Sequence, residues 1–265
     1  MVDAAAPIPL RYREFGAAGA PAVLVLHGLL GSARNWQGIG KQLARRLHVI
    51  LPDLRNHGAS PWAPVMTYPA MAADLIALLE RCQLARAAVV GHSMGGKVAL
   101  TLALMQPQRV SRLVVLDIAP VAYAGPGFRA YIEAMRALDL GSLTRRADLD
   151  RLLAPAVPDP AVRAFLLQGL GADGSRLRWQ PNLAVLAEQM ATLLGFPQDL
   201  TDRRYDGPTL LIRGERSPYV DADGIAACRA LCPATRVLTV RGAGHWVHAD
   251  APAIVTAALE RFLAE

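Results

Sequence analysis

Long apolar runs, paired cysteines, aromatic residues and clustered charge are all scarce in this 265-residue chain, and each scarcity removes a class of function. Apolar runs such as "AVLVL" at 22–26 fall far short of the roughly 18 residues that a bilayer-spanning helix needs, so no transmembrane helix is expected. Cys82, Cys228 and Cys232 are odd in number and form no C-x-x-C pair, which argues against a disulfide framework and for buried or idle thiols. Aromatics make up 6% of the chain, and the net charge of +6 comes mostly from scattered arginines with no basic block longer than "RR". A nucleic-acid surface is therefore not expected, although attraction to an anionic small substrate stays open. No His/Cys/Asp/Glu cluster has metal-ligand spacing, and no phosphate-cradling glycine motif occurs, so neither a metal nor a cofactor is expected. Asp3 stands where a secretory signal would carry positive charge, and no long apolar core follows it; the expected compartment is the cytoplasm.

Hydrophobic residues, at 53%, are ample for a packed core. Short apolar runs rich in β-branched residues recur at 22–28, 48–54, 87–93, 112–120, 209–215 and 236–242, as strands buried on both faces require. Helical patterns lie between them near 35–46, 67–81, 94–106, 220–231 and 252–263; the second opens at Thr67 with Pro69 in its first turn. The alternation predicts an α/β fold with a mostly parallel central sheet flanked by helices. It breaks between 121 and 201, where helical patches such as "FRAYIEAMRAL" and "NLAVLAEQMATLL" occur without a strong strand. A loop that long is implausible in a compact domain, so 121–201 reads as a helical cap inserted into a core made of 1–120 and 202–265.

In "VVGHSMGGKVAL" a serine stands between glycines where an apolar run gives way to a helical pattern. The pentapeptide G-x-S-x-G is weak evidence alone, but this placement suits a sharp strand-to-helix turn that exposes the Ser93 hydroxyl at the carboxyl edge of the sheet. A serine needs a base to take its proton. Of six histidines, His245 in "RGAGHWVH" follows the last strand in a glycine-rich loop able to reach that edge. His92 is expected to point to the other side of the chain, and His248 to face solvent or serve structure.

The base in turn needs an acid. "LHGLLGS", "DLRNHGASP", "GHSMGG" and "GAGHW", in this order along nearly the whole chain, resemble the α/β-hydrolase superfamily. That resemblance implies an acid after the strand "TLLIRGE", where Ser217 stands instead. The substitutes are Asp117, Glu215, Asp221 and Asp223. Asp117 ends the strand that should lie beside the serine's, about 5 Å away. Glu215 precedes the usual position by two residues. "RNHGASP", "DIAP" and "SPYV" together are more closely similar to the YbfF-type bacterial esterases. This likeness implies Asp117 as the acid and Ser217 as a supporting hydrogen-bond partner.

An oxyanion intermediate would need two backbone amides, one on the residue after the nucleophile, Met94; the superfamily places the other on the residue after His-Gly, here Leu29. Leu30, Tyr123, Tyr219 and Trp246 could line an acyl pocket, though each suits ordinary core. Lys97 is expected to be solvated or salt-bridged, and Asp53 to Gly58 resembles a loop that is largely structural in the superfamily. The resulting expectation is a serine hydrolase, monomeric or homodimeric, that cleaves a small-molecule ester or acyl thioester through an acyl-enzyme. The YbfF resemblance implies short-chain esters and acyl-CoA. The rivals are a C–C bond hydrolase, a lactonase or a menaquinone-related lyase on the same machinery, and a small-molecule-binding homologue without catalysis.

Overall fold

A computed structural model describes residues 6–124, 127–141, 145–173 and 176–265. Asp3 lies outside them, as do small parts of the segment 121–201. Among the described residues nine strands are present: β1 (Tyr12–Phe15), β2 (Ala22–Leu26), β3 (His48–Pro52), β4 (Ala87–His92), β5 (Val110–Leu116), β6 (Leu170–Asp173), β7 (Arg176–Trp179), β8 (Thr209–Gly214) and β9 (Thr235–Val240). Seven form one sheet in the order β1-β3-β2-β4-β5-β8-β9, in which only β1 runs antiparallel to its neighbour. Each of the six strands read from apolar runs is in this sheet.

The helices are α1 (Gln37–Leu43), α2 (Tyr68–Arg81), α3 (Met94–Met105), α4 (Gly127–Arg136), α5 (Arg146–Leu153), α6 (Pro160–Leu166), α7 (Leu183–Glu188), α8 (Met190–Leu194), α9 (Ala222–Leu231), α10 (Val247–Asp250) and α11 (Pro252–Ala264). α2 starts as its sequence suggests, with the Thr67 hydroxyl accepting from the Ala70 amide and a proline in the first turn.

Successive strand residues point to opposite faces, and the two faces carry separate apolar layers. Leu24, Leu26, Val89, Leu113, Val115 and Leu211 pack toward α2 and α3, while Val23, Val25, Val90, Val114, Leu210 and Ile212 pack toward α1 and α11. Burial runs unbroken from Met94 to Leu104 in α3. A helix covered on every side needs something beyond the sheet, and the segment between β5 and β8 supplies it. Ile132, Met135, Leu149, Leu166 and Leu193 continue the same apolar layer. Two short antiparallel strands, β6 and β7, lie within that segment, where the sequence shows only helical patches. Among the described residues no helix is long and apolar enough to cross a membrane.

The chain passes from β2 out to β3 and returns to β4 on the other side of β2, so the direction of winding reverses at β4. Ligands of open α/β sheets bind beyond the strand ends at such a reversal, and Ser93 directly follows β4.

Candidate active site

Ser93 holds φ 52° and ψ −122°, a conformation that side-chain-bearing residues rarely adopt, and its amide donates to Leu116 O at 2.9 Å. The flanking glycines make the turn possible. A Cβ on Gly91 would stand 2.1 Å from Gly95 O, and one on Gly95 would stand 2.5 Å from His27 O. Asp117, directly after β5, has the same handedness at φ 51°, and its amide donates to Ile212 O at 2.8 Å. Neighbouring strands therefore deliver a hydroxyl and a carboxylate to one edge of the sheet. The loop after β9 brings His245 between them.

His245 Nε2 lies 3.0 Å from Ser93 Oγ, and Nδ1 lies 2.8 Å from Asp117 Oδ2. A carboxylate only accepts, which assigns the ring proton to Nδ1 and leaves Nε2 to accept from the serine hydroxyl. Asp117 is fully buried; its Oδ1 accepts from the Gly214 amide at 2.8 Å, and the Ser217 hydroxyl donates to Oδ2. The other acids are employed elsewhere: Glu215 accepts from the Gly242 amide at 2.9 Å, Asp221 caps α9 through Gly224 N at 2.8 Å, and Asp223 is exposed in the first turn of α9.

The imidazole is walled on several sides. Tyr219 stacks on it with ring centres 4.0 Å apart, and Trp246 meets its edge at 5.6 Å. His92 Nε2 donates to the His245 carbonyl at 2.9 Å, and burial holds the His92 ring well below the ordinary histidine range, so it serves as a neutral donor. His92 thus supports the His245 loop, a role its place beside the serine does not disclose. His248, for which solvent exposure was one expectation, is buried: it stacks on Trp36 with centres 4.5 Å apart, and burial pushes it down to about 4.

Beneath Leu29 lies a second pair of neutral histidines. His27 Nδ1 donates to Gly28 O at 2.8 Å and its Nε2 accepts from Leu54 N at 2.9 Å. His57 Nδ1 donates to Arg55 O at 2.9 Å and its Nε2 accepts from Leu30 N at 3.1 Å. Burial pushes them down to about 4 and about 3. Arg55 is itself locked by a buried two-pronged pair with Asp74, at 2.6 and 2.7 Å. The Asp53 to Gly58 loop therefore fixes the backbone from Gly28 to Leu30. Met94 is the first residue of α3, where amides have no intrahelical acceptor.

A cavity of about 260 Å³ opens beside Ser93, with Leu29, Met94, Tyr123 and Tyr219 among its walls and Met190, Leu193 and Leu194 facing it from α8. Trp246 lines a much smaller pocket that shares Leu29, Ser93 and Phe128 with the larger one and is closed by Trp36, Phe165, His245 and His248. Leu30 lines neither; it is buried core at φ 62°. Lys97 departs most from expectation. It is 1% exposed and lines the larger cavity, neither solvated nor salt-bridged among the described residues. Cys228 and Cys232 are buried free thiols that burial pushes up to about 12, and Cys82 is half-buried and free.

The family model of the α/β hydrolase fold matches residues 21–252. The chain is 39% identical over 267 residues to the sn-1-specific diacylglycerol lipase ABHD11 of Danio rerio, covering 98% of this chain and 84% of that one. It is 37% identical over 243 residues to esterase YbfF of Escherichia coli strain K12, covering 92% of each. Among solved structures, a marine microorganism esterase matches with a TM-score of 0.93 at 30% identity, over 97% of this chain and all of that one.

Proposed function

The chain belongs to the α/β-hydrolase family and is a carboxylic ester hydrolase, and from that premise we propose that Ser93 is the nucleophile, His245 the base and Asp117 the acid that orients it. The observation that carries this reading is the unbroken chain of contacts from Ser93 Oγ through both ring nitrogens of His245 to Asp117. His245 Nε2 takes the hydroxyl proton as Oγ attacks the ester carbonyl, and the buried carboxylate stabilises the imidazolium. The Leu29 and Met94 amides hold the oxyanion, where one donor is worth about 3 kcal/mol of barrier. The departing alcohol takes its proton from His245. A water then gives its proton to the same nitrogen and attacks the acyl carbon; the bond to Ser93 Oγ breaks, Oγ takes the proton back from His245, and the acid is released.

The 260 Å³ cavity is the acyl site in this reading. Its size and its walls of Leu29, Met94, Leu193 and Leu194 beside Ser93 support short and medium acyl groups. The segment 121–201 acts as a cap, since α8 forms one wall of that site. Thioesters, including acyl-CoA, are proposed as further substrates: the net charge of +6 and an exposed Arg129 at the cavity mouth favour a phosphate-bearing leaving group. Three free cysteines support a reducing, cytoplasmic setting.

The test is labelling with a fluorophosphonate followed by peptide mass analysis, together with rates on graded p-nitrophenyl and acyl-CoA esters. Modification confined to Ser93, with turnover higher on short and medium acyl esters than on long ones, is the expected result. An unlabelled Ser93 in an active preparation overturns it.

A further inference from the structure

Lys41 and Lys97 are the only lysines among the chain's 28 basic residues, and Lys97 is buried. It lies one turn into α3 from Ser93, about 6 Å along the axis at 1.5 Å per residue. Its Nζ donates to Val121 O at 2.8 Å, Leu194 O at 3.0 Å and Gly195 O at 2.6 Å. Three converging carbonyls match the three donors of an ammonium; a flat guanidinium fork cannot serve them from one point. Among the described residues no carboxylate pairs with it, and burying an unbalanced cation is costly, so these bonds must secure something of structural value.

The carbonyls belong to two different crossings. Val121 lies just after β5, where the chain leaves the sheet; Leu194 ends α8 and Gly195 follows it, on the way back to β8. One side chain therefore ties both crossings to the helix that begins beside Ser93. The Tyr123 amide also donates to Leu194 O at 3.0 Å, and the Tyr68 hydroxyl donates to Leu193 O at 2.6 Å. The two tyrosine rings stand 4.7 and 5.8 Å from Nζ. Lys97, Tyr68, Tyr123, Leu193 and Leu194 all line the larger cavity. Since the carbonyls occupy all three donors, the ammonium has none left for a ligand's carboxylate.

We propose that Lys97 is a specificity-determining positioning residue, which holds the two crossings closed at the inner end of the acyl cavity and so limits the acyl length the enzyme accepts. This rests on the reading of that cavity as the acyl site. Lys97→Met keeps the length of the side chain and removes the donors. Measured on p-nitrophenyl esters from acetate to dodecanoate, it is expected to shift the ratio of kcat/KM for decanoate over butyrate by at least about tenfold toward the longer ester, a selectivity change that a uniform loss of structure does not produce.

An unchanged length profile, or an equal fall at every length, overturns the proposal. A wild-type preference for acyl groups ending in a carboxylate, lost in Lys97→Met, overturns it as well, by making the ammonium a ligand anchor. Lys97→Gln, which keeps two donors, carries the same test if the methionine variant does not fold. If neither folds, stability is the whole effect and the specificity role falls. Fluorophosphonate labelling of the same proteins reports Ser93 rather than acyl length, and separates a failure here from a failure of the nucleophile assignment.

Discussion

Ser217 and Asp117, one hundred positions apart, are joined by a hydrogen bond onto the same carboxylate oxygen that accepts from His245 Nδ1. With the Gly214 amide on the other oxygen, three donors fix the orientation of a carboxylate that is wholly buried. A hydrogen bond to a charged group is worth about 1.5–3 kcal/mol. Ser217→Ala is therefore expected to lower kcat by about 10- to 100-fold with KM little changed, read from initial rates on a short p-nitrophenyl ester.

The choice of acid has a sharper test. Asp117→Asn keeps the shape and removes the charge, and by analogy with other triads should lower kcat by about 10⁴-fold. Glu215→Gln touches a side chain bonded only to the exposed Gly242 turn and should stay within about threefold of wild type. The reverse ranking in parallel assays would move the acid to the loop after β8.

Ser93→Ala should lower kcat by at least about 10³-fold and abolish fluorophosphonate labelling, with thermal stability retained because only a hydroxyl is lost. Near-normal turnover in a preparation free of wild-type enzyme would remove the nucleophile.

The buried histidines set a pH limit. Unfolded, each titrates near 6.5; folded, His27 and His248 lie at about 4, His57 at about 3 and His92 well below its ordinary range, all chiefly through burial. Between these values the unfolded chain binds more protons than the folded one. The contribution of these four histidines is then fully present above pH 6.5 and falls as pH drops toward 4, at a slope approaching about 1.4 kcal/mol per pH unit for each of them. Urea midpoints at pH 7.5, 6 and 5 should show this fall, and His57→Gln should flatten it by about one proton. A pH-independent midpoint would refute the neutral, buried assignment.

Much of the fold was legible because parallel strands buried on both faces need unbroken apolar runs, as in "AVLVL" and "RLVVL". β1 leaves no apolar run because "YREF" is a half-exposed edge strand, whose charged residues interrupt the apolar signal. β6 and β7 are four residues each, and "LGAD" with "RLRW" has too little apolar content to separate from helix. Ser93 and His245 could be picked out from glycine spacing and strand ends. Spacing left Asp117 and Glu215 both open, since deciding between them requires knowing which way each side chain points; the resemblance in "DIAP" favoured the one that meets the imidazole. The burial of Lys97 runs against the sequence expectation because charge usually marks a solvated face. The signal lay in its surroundings, Val98 to Leu104, which leave α3 almost no polar face for it to sit on.

The backbone at Ser93 and Asp117 is held on the left-handed side of φ at two successive strand ends, and such conformations cost on the order of 1–3 kcal/mol apiece for residues with a Cβ. Glycine at either place would relax that tension while deleting the hydroxyl or the carboxylate. An inert Ser93→Gly protein should thus melt higher than its active parent. At these two corners durability and reactivity pull in opposite directions, and a lineage released from selection for turnover would gain heat resistance by its first steps toward silence.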